Sequence, residues 1–584
     1  MLWSMQAPQP RSLVLAVSLL LLAACRSAPE VLEAQPLPDG QALLFHGGTI
    51  YSGVVADEGQ PGAQGDALLC VDGVVLALGE LADLEARWQL AGIERVDLDG
   101  ATAIPGLQDA HGHVASYGAL LEQVDLAGST SYEEVIERIV KHAAELPPGT
   151  WVTGRGWDQT LWPGAEFPEH GPLSAAVPGH PVFVRRVDGH AALANQMALQ
   201  AAGLYDVVIE EPMIEGGRIH LDSSGKPTGV FIDTAMGAVG AQVPDAESGS
   251  MERAILAAQD QLLSLGLTCV HDMGIGREGV EIFQRLRDEG KLRLRIAAYL
   301  WGNGLQDAGG LRGLPLAPDA KDRFQVLGVK LMADGALGSR GAALLEPYHD
   351  APHEQGLIRF DRAELLRLVR LCAQAGMQPA THAIGDAANR MVLDVYEQVA
   401  GEVAGMKTLR PRIEHAQVVA ISDLQRLGEL GVIPSVQPTH ATSDMRWAEQ
   451  RVGPERVLGA YAWRRMETPN SPLALGSDFP VEKADPLLGL YAAVTRQDAS
   501  GSPAGGWYAD QCLTPAEAAA AFAWGAAYAA DQESRRGRLL PGYACDMSIF
   551  DRDLIGIGPG QAKRILGARC LLTVIDGQIE YDGR

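Results

Sequence analysis

Eight short apolar segments, each running into a polar or ionisable residue and alternating with helical stretches, constrain this chain more than any other feature. They end near His113, Asp272, Tyr299, Lys330, His382, His415, Pro438 and Asp478. The helical stretches include Asp361 to Ala375 and Thr514 to Ala530; the second opens with Thr514 at the N-cap, Pro515 at the first helical position and Glu517 two residues on, a pattern that starts helices. Strand-then-helix repetition builds a parallel sheet with both faces covered. Eight such units closing on themselves give an α/β fold, a (β/α)8 TIM-type barrel, whose chemistry gathers at the C-terminal ends of its strands. The ionisable residues sit at those ends. One interval does not fit, because from His113 to His271 the chain is far longer than the roughly 30 residues that a βα unit needs. A large insertion after strand 1, about residues 114–260, fills the interval. Leaving from the catalytic face, it is expected to act as a lid.

Either side of the barrel the texture changes. Residues 42–103 alternate short apolar runs with Gly47-Gly48, Asp72-Gly73 and Asp99-Gly100, the punctuation of hairpins. Asp546 to Phe550 and Leu571 to Tyr581 read the same way. Both ends are therefore expected to build one small β-sandwich domain from residues 42–103 and 536–584, around a barrel at 104–535. A 47% hydrophobic content excludes disorder for the bulk of the chain. A net charge of −26 repels phosphate backbones, so a nucleic-acid partner is not expected. The cysteines show neither CxxC nor CxxxC spacing, which argues against a disulfide framework and a zinc knuckle.

The first residues read as an address. Arg11 precedes an apolar run from Leu13 to Ala24, too short for the about 20 residues of a membrane-spanning helix. Its close, Leu22-Ala23-Ala24-Cys25, resembles a bacterial lipobox. The expectation is a signal peptide at 1–24, lipidation of Cys25 and a tether at 25–41; the plainer alternative is an ordinary secretory signal with Cys25 unmodified. Arg26 in place of an acidic residue leans toward the outer membrane, facing the periplasm.

His111 and His113, two apart on a strand, face the same side and can share a metal ion. Taken alone they are as readily two histidines in ordinary hydrogen bonds. His382, His415 and Asp478 at three further strand ends bring four imidazoles and a carboxylate to one barrel mouth. Lys330 ends another apolar strand, where a free ammonium is costly unless it is paired or chemically altered. It either pairs with an acid such as Asp334 or reacts with CO2 to become an anionic carbamate that bridges two cations.

At this point the sequence resembles the amidohydrolase superfamily, specifically the YtcJ-like branch, amidohydrolase family 3, over essentially the whole chain after the leader. The matching segments run from Ile104 to His113, Gly328 to Ala342, Thr381 to Ala388, Ile413 to Gln417 and Gly476 to Pro480, in the family's order. The resemblance implies that His111, His113 and Asp478 bind one divalent ion and that His382 and His415 bind a second. Carbamylated Lys330 would bridge them, with Zn2+ the expected metal. It also implies an exported hydrolase of C–N bonds in small amides, N-acyl or N-formyl amines, using a metal-bound hydroxide whose proton Asp478 carries. Two ions lower the pKa of a bridging water from about 15.7 toward 7. Cys269 shares a strand face with His271, and a one-metal or cysteine-assisted site stays open beside the lysine-bridged one. The run Ala523-Trp524-Gly525-Ala526 departs from the family pattern, which touches helix packing rather than chemistry.

Trp157, Asp158, Arg186 and His190 in the insertion, together with Arg340, are candidates for substrate contact or for internal hydrogen bonding, with Trp162 a further candidate wall. His220, His349, His353 and His440 read as surface or loop histidines. The same metal site would also serve lactones, carbamates or phosphotriesters. A non-catalytic, ligand-binding lipoprotein is the reading from a different class.

Overall fold

Each of the eight apolar segments is a strand in the computed structural model: β1 (Leu107–Gly112), β2 (Leu267–Ile275), β3 (Arg295–Trp301), β4 (Phe324–Met332), β5 (Gln378–Ala383), β6 (Arg412–His415), β7 (Ile433–Val436) and β8 (Ala474–Leu475). The structure describes residues 34–584, except 187–190, 211–212, 215–216, 245–248, 303, 320 and 559. The expected signal peptide and Cys25 lie outside the described residues. Neighbouring strands pair in parallel from β1 through to β8. The strands are apolar almost throughout because both faces are covered, by helices outside and by their own side chains within.

Closure comes from the chain around β1 and β8 rather than from a full ladder. Gly112 and Phe479 form an isolated parallel bridge. The Asp478 amide donates to the His111 carbonyl at 2.7 Å, and the His113 amide to the Phe479 carbonyl at 2.9 Å. The buried Asp109 carboxylate accepts from the Ser477 amide at 3.1 Å and its hydroxyl at 2.6 Å. Glycine is required on both sides of this seam. A Cβ on Gly112 would come within 2.4 Å of the Phe479 ring, and one on Gly476 within 2.6 Å of the Asp109 carboxylate.

The two chain ends share one mixed sheet, in the order Gln578–Asp582, Cys570–Ile575, Met547–Phe550, Thr102–Pro105, Ala42–Tyr51, Gln64–Val71 and Val74–Gly79, with Glu94–Asp97 beside Ala42–Tyr51. Arg295, at the start of β3 and 1% exposed, ties this sheet to the barrel through Asp546 at 3.0 Å and through Asp576. The insertion after β1 folds around its own seven-stranded sheet. Within it a hairpin pairs Gly217–Leu221 with Pro227–Asp233 and turns at Asp222.

The helix expected from Thr514 is capped as read, with reciprocal bonds between Thr514 and Glu517. It does not continue as a regular α-helix: Ala521–Gly525 is a single π-helical turn, at the place where the sequence departs from its family pattern. A Cβ on Gly525 would lie 2.0 Å from the Leu473 carbonyl, so this turn presses bare backbone against the chain entering β8.

Candidate metal centre

The site grows out of the seam. His111 is buried on β1, and Asp478 follows β8 with a φ of +63°, a left-handed conformation that Asp adopts more readily than most residues. That turn points the carboxylate across the seam, where Oδ1 lies 3.2 Å from His113 Nε2 and 3.4 Å from His111 Nε2. His415 ends β6 with a φ of +72°, a second non-glycine held in an unfavourable conformation at the same mouth.

Two imidazoles are oriented by a partner on the far nitrogen. His111 Nδ1 donates to the Glu414 carboxylate at 2.6 Å, and His415 Nδ1 donates to the Gln437 side-chain oxygen at 2.7 Å. Each leaves Nε2 with its lone pair toward the mouth, the arrangement that metal-binding histidines use. Burial and the nearby Lys330 ammonium push the His111 imidazolium down to about 4, and burial with neighbouring imidazoles takes His415 well below its ordinary value. Both are neutral near pH 7, as ligands must be. Burial alone would raise Asp478, but the facing His111 and His113 rings hold it well below the usual carboxylate range.

Beneath the site lies an ionic layer that sequence reasoning missed. Arg412 and Glu414, two apart on β6, are both fully buried, with Nε 2.8 Å from Oε1. Arg412 also donates to His271 Nδ1 at 2.8 Å, the Tyr299 hydroxyl at 2.9 Å, the Ala110 carbonyl at 2.7 Å and the Ser435 hydroxyl at 2.8 Å. Burial raises Glu414, yet the Arg412 guanidinium overrides it and keeps the carboxylate charged under His111. The available signal was the period of two on β6, which turns Arg412 and Glu414 to the same face.

Lys330 on β4 is 2% exposed, and its Nζ lies 3.1 Å from His111 Nε2. No bond or ion pair joins it to Asp334, whose carboxylate instead accepts from the backbone amides of Ala343, Ile384 and Gly385. Burial draws the ammonium down to about 8. His382 on β5 packs against His415 with ring centroids 4.6 Å apart, and its Nε2 is buried without a hydrogen-bond partner.

These donors suit a divalent cation. His111, His113 and Asp478 each offer a ligand atom, all within 4.8 Å of one another, and His415, His440 and Asp478 form a second such group. His440 therefore belongs to the mouth and not to the surface: Pro438–Asp444 is a short helix following β7, and it carries His440 over Asp478. A histidine two residues past Gln437-Pro438 resembles any loop histidine until the strand end is located. Cys269 lies elsewhere, buried beside Arg295 and Arg536, and joins neither group.

A cleft of about 460 Å3 opens over these residues, walled by Trp301, Met332, Leu337 and Trp447 and edged by Asp444 and Glu482. Among the described insertion candidates, Trp157, Asp158, Arg186 and Trp162 are not part of its lining. Trp157 is buried in the insertion core, donating to the Val184 carbonyl at 2.9 Å, and Asp158 pairs with Arg186 at 2.6 Å. Trp162 donates to the Ser129 carbonyl at 3.1 Å. Arg340 pairs with Asp350 at 3.0 Å. His190 lies outside the described residues. His220 bonds Thr228 within the insertion, and His353 is exposed.

A family model described as the amidohydrolase family matches residues 94–581. The chain is 30% identical over 544 residues to YtcJ of Bacillus subtilis (strain 168), covering 92% of this chain and 99% of that one. It is 26% identical over 537 residues to the N-substituted formamide deformylase of Arthrobacter pascens, covering 88% and 95%. Among solved structures, an uncharacterized metal-dependent hydrolase from Pyrococcus horikoshii OT3 superposes with a TM-score of 0.69 at 30% identity, over 88% of this chain and 99% of that one.

Proposed function

The chain belongs to the amidohydrolase family, and from that premise we propose that it is a metal-dependent hydrolase of small amides, with N-formyl and N-acyl amines as substrates. The observation that carries the reading is the convergence of His111, His113 and Asp478 within 4.8 Å on the seam of the barrel, with Lys330 Nζ 3.1 Å from His111. The amide preference draws support from the formamide deformylase relative.

In this reading His111, His113 and Asp478 hold one divalent ion and His382 and His415 a second, Zn2+ by ligand type. Lys330, as the carbamate formed with CO2, would supply these ions with a further anionic ligand. Bound ions make water a nucleophile near neutral pH and polarise the carbonyl. The residues do the rest. Glu414 and Gln437 fix the imidazoles; Asp478 receives the proton of the attacking water and passes it to the leaving nitrogen as the new C–O bond replaces the C–N bond. The products are a carboxylic acid and an amine. Trp301 and Trp447 favour an apolar acyl or amine substituent.

We further propose that the protein is exported and tethered to the membrane through lipidated Cys25. The test of function is a panel of N-formyl amines, N-acyl amines, lactones, carbamates and phosphotriesters offered to zinc-loaded enzyme. The highest kcat/KM is expected on the N-formyl and N-acyl amines. Turnover confined to esters or phosphotriesters would overturn the C–N assignment, and no turnover by enzyme with its metals bound would favour a binding protein.

A further inference from the structure

Cys70 and Cys545 stand at opposite ends of the sequence and meet in the sheet that the two chain ends share. Cys70 lies on the strand Gln64–Val71, with Leu43 opposite it on one side and Val75 on the other. Cys545 arrives just ahead of Met547–Phe550, and backbone bonds fix its approach. The Val75 amide donates to the Tyr543 carbonyl at 2.8 Å, the Cys545 amide to the Gly73 carbonyl at 2.7 Å, and the Gly577 amide to the Cys545 carbonyl at 2.9 Å. Gly577 also marks where the Cys70 sulfur lies, because a Cβ built on it would come within 3.2 Å of Cys70 Sγ. Both cysteines are buried free thiols in one apolar cluster with Phe45, Leu68, Met547 and Val574.

We propose that Cys70 and Cys545 form a disulfide under oxidising conditions, tying the two chain ends to each other across their shared sheet. Spacing along the chain could not show this pair, since only the fold brings it together. The two thiols interact directly: Cys70 is the foremost influence on the Cys545 thiol and, with burial, pushes its pKa well above the ordinary value. Cys269 and Cys570, by contrast, have other neighbours, Arg536 and Thr573. The proposed export would give the pair its setting, because disulfides persist in oxidising compartments; the hydrolytic reading plays no part in it.

The bond needs an oxidant, a small disulfide from the surroundings. A cleft of about 410 Å3 reaches Cys70 between Asp72, Gly73, Arg323 and Gly577, and Cys545 is not part of its lining. Cys70 therefore meets the oxidant first. Its thiolate attacks one sulfur of the oxidant, forming a mixed disulfide and releasing one thiol; the Cys545 thiolate then attacks the Cys70 sulfur and releases the second. The two protein thiols give up two protons and two electrons, and the oxidant leaves as two thiols. A cross-link between positions so far apart in sequence restricts the unfolded chain strongly and so stabilises the folded one.

The test equilibrates the purified, fully reduced protein with mercaptoethanol and its disulfide over a series of ratios, quenches with acid, alkylates under denaturing conditions and reads tryptic peptides by mass. Because the oxidant is supplied, the outcome does not depend on where a cell places the protein. At oxidising ratios the peptides carrying Cys70 and Cys545 should appear joined, lighter than their sum by two hydrogens, while Cys269 and Cys372 are alkylated. Cys70 and Cys545 both alkylated at every ratio, or either joined to another cysteine, would overturn the inference. Thermal unfolding gives a second readout: oxidation should raise the Tm of the wild type by a few degrees and leave that of Cys545→Ser unchanged. Equal Tm values for oxidised and reduced wild type would show that no bond ties the chain ends. The wild-type comparison answers the question even where the variant fails to fold.

Discussion

Lys330 shows how much one side chain decides here. A fully enclosed lysine beside a neutral imidazole, with its nearest acids committed elsewhere, is an expensive ammonium; as a carbamate it would become the ligand the site lacks. Lys330→Ala is expected to lose metal and hydrolysis together, with partial recovery when a short carboxylic acid is added. Retention of both metals and rate would contradict the carbamate role. Glu414→Gln tests the support below. It removes the charge that pairs Arg412 and orients His111, so metal affinity measured against a competing chelator should fall about 10–100-fold. Breaking a buried pair from one side also costs about 3–5 kcal/mol, which should appear as a lower Tm. Unchanged affinity would mean that the carboxylate does not orient the ligand.

At the scale of elements, the barrel was the most legible part because apolar runs ending in ionisable residues mark each strand locally. His111, His113, Lys330, His382, His415 and Asp478 could be singled out because each terminates such a run. His440 could not, since it sits on a helix after β7, and only the fold brings it back over Asp478. Nor could Arg412 and Glu414 be told from an ordinary polar strand end before the layer they build was seen. For the insertion residues the sequence left substrate contact and internal hydrogen bonding equally open, and Trp157, Asp158 and Arg186 make bonds within the insertion. The seam yields its own prediction. Gly476→Ala forces a methyl against Asp109 and the His111 amide, shifting His111 relative to Asp478. Metal affinity should drop by more than the loss of global stability explains, as measured by chelator competition beside thermal unfolding. Equal, small losses in both would show that the seam does not set the ligand geometry.

Over the whole molecule, chain ends that are distant in sequence are joined to the barrel by a charged junction. Burial raises the Asp546 carboxyl, but the Arg295 guanidinium outweighs it and holds it below its ordinary value. Such a group contributes stability that is complete above about pH 4 and is lost as pH falls through its folded-state value. Arg295→Met should therefore lower Tm at neutral pH and flatten the acid limb of the stability curve; an unaltered acid limb would place the acid sensitivity elsewhere. The account of the whole molecule stands on metal-dependent hydrolysis at one barrel mouth. Its most direct test is to strip the enzyme with a chelator and titrate Zn2+ back while following hydrolysis of an N-formyl amine. Activity should be absent at the start and rise to a break at two equivalents per chain, whereas a stripped enzyme that keeps its full rate, or a rate indifferent to added metal, would contradict the account.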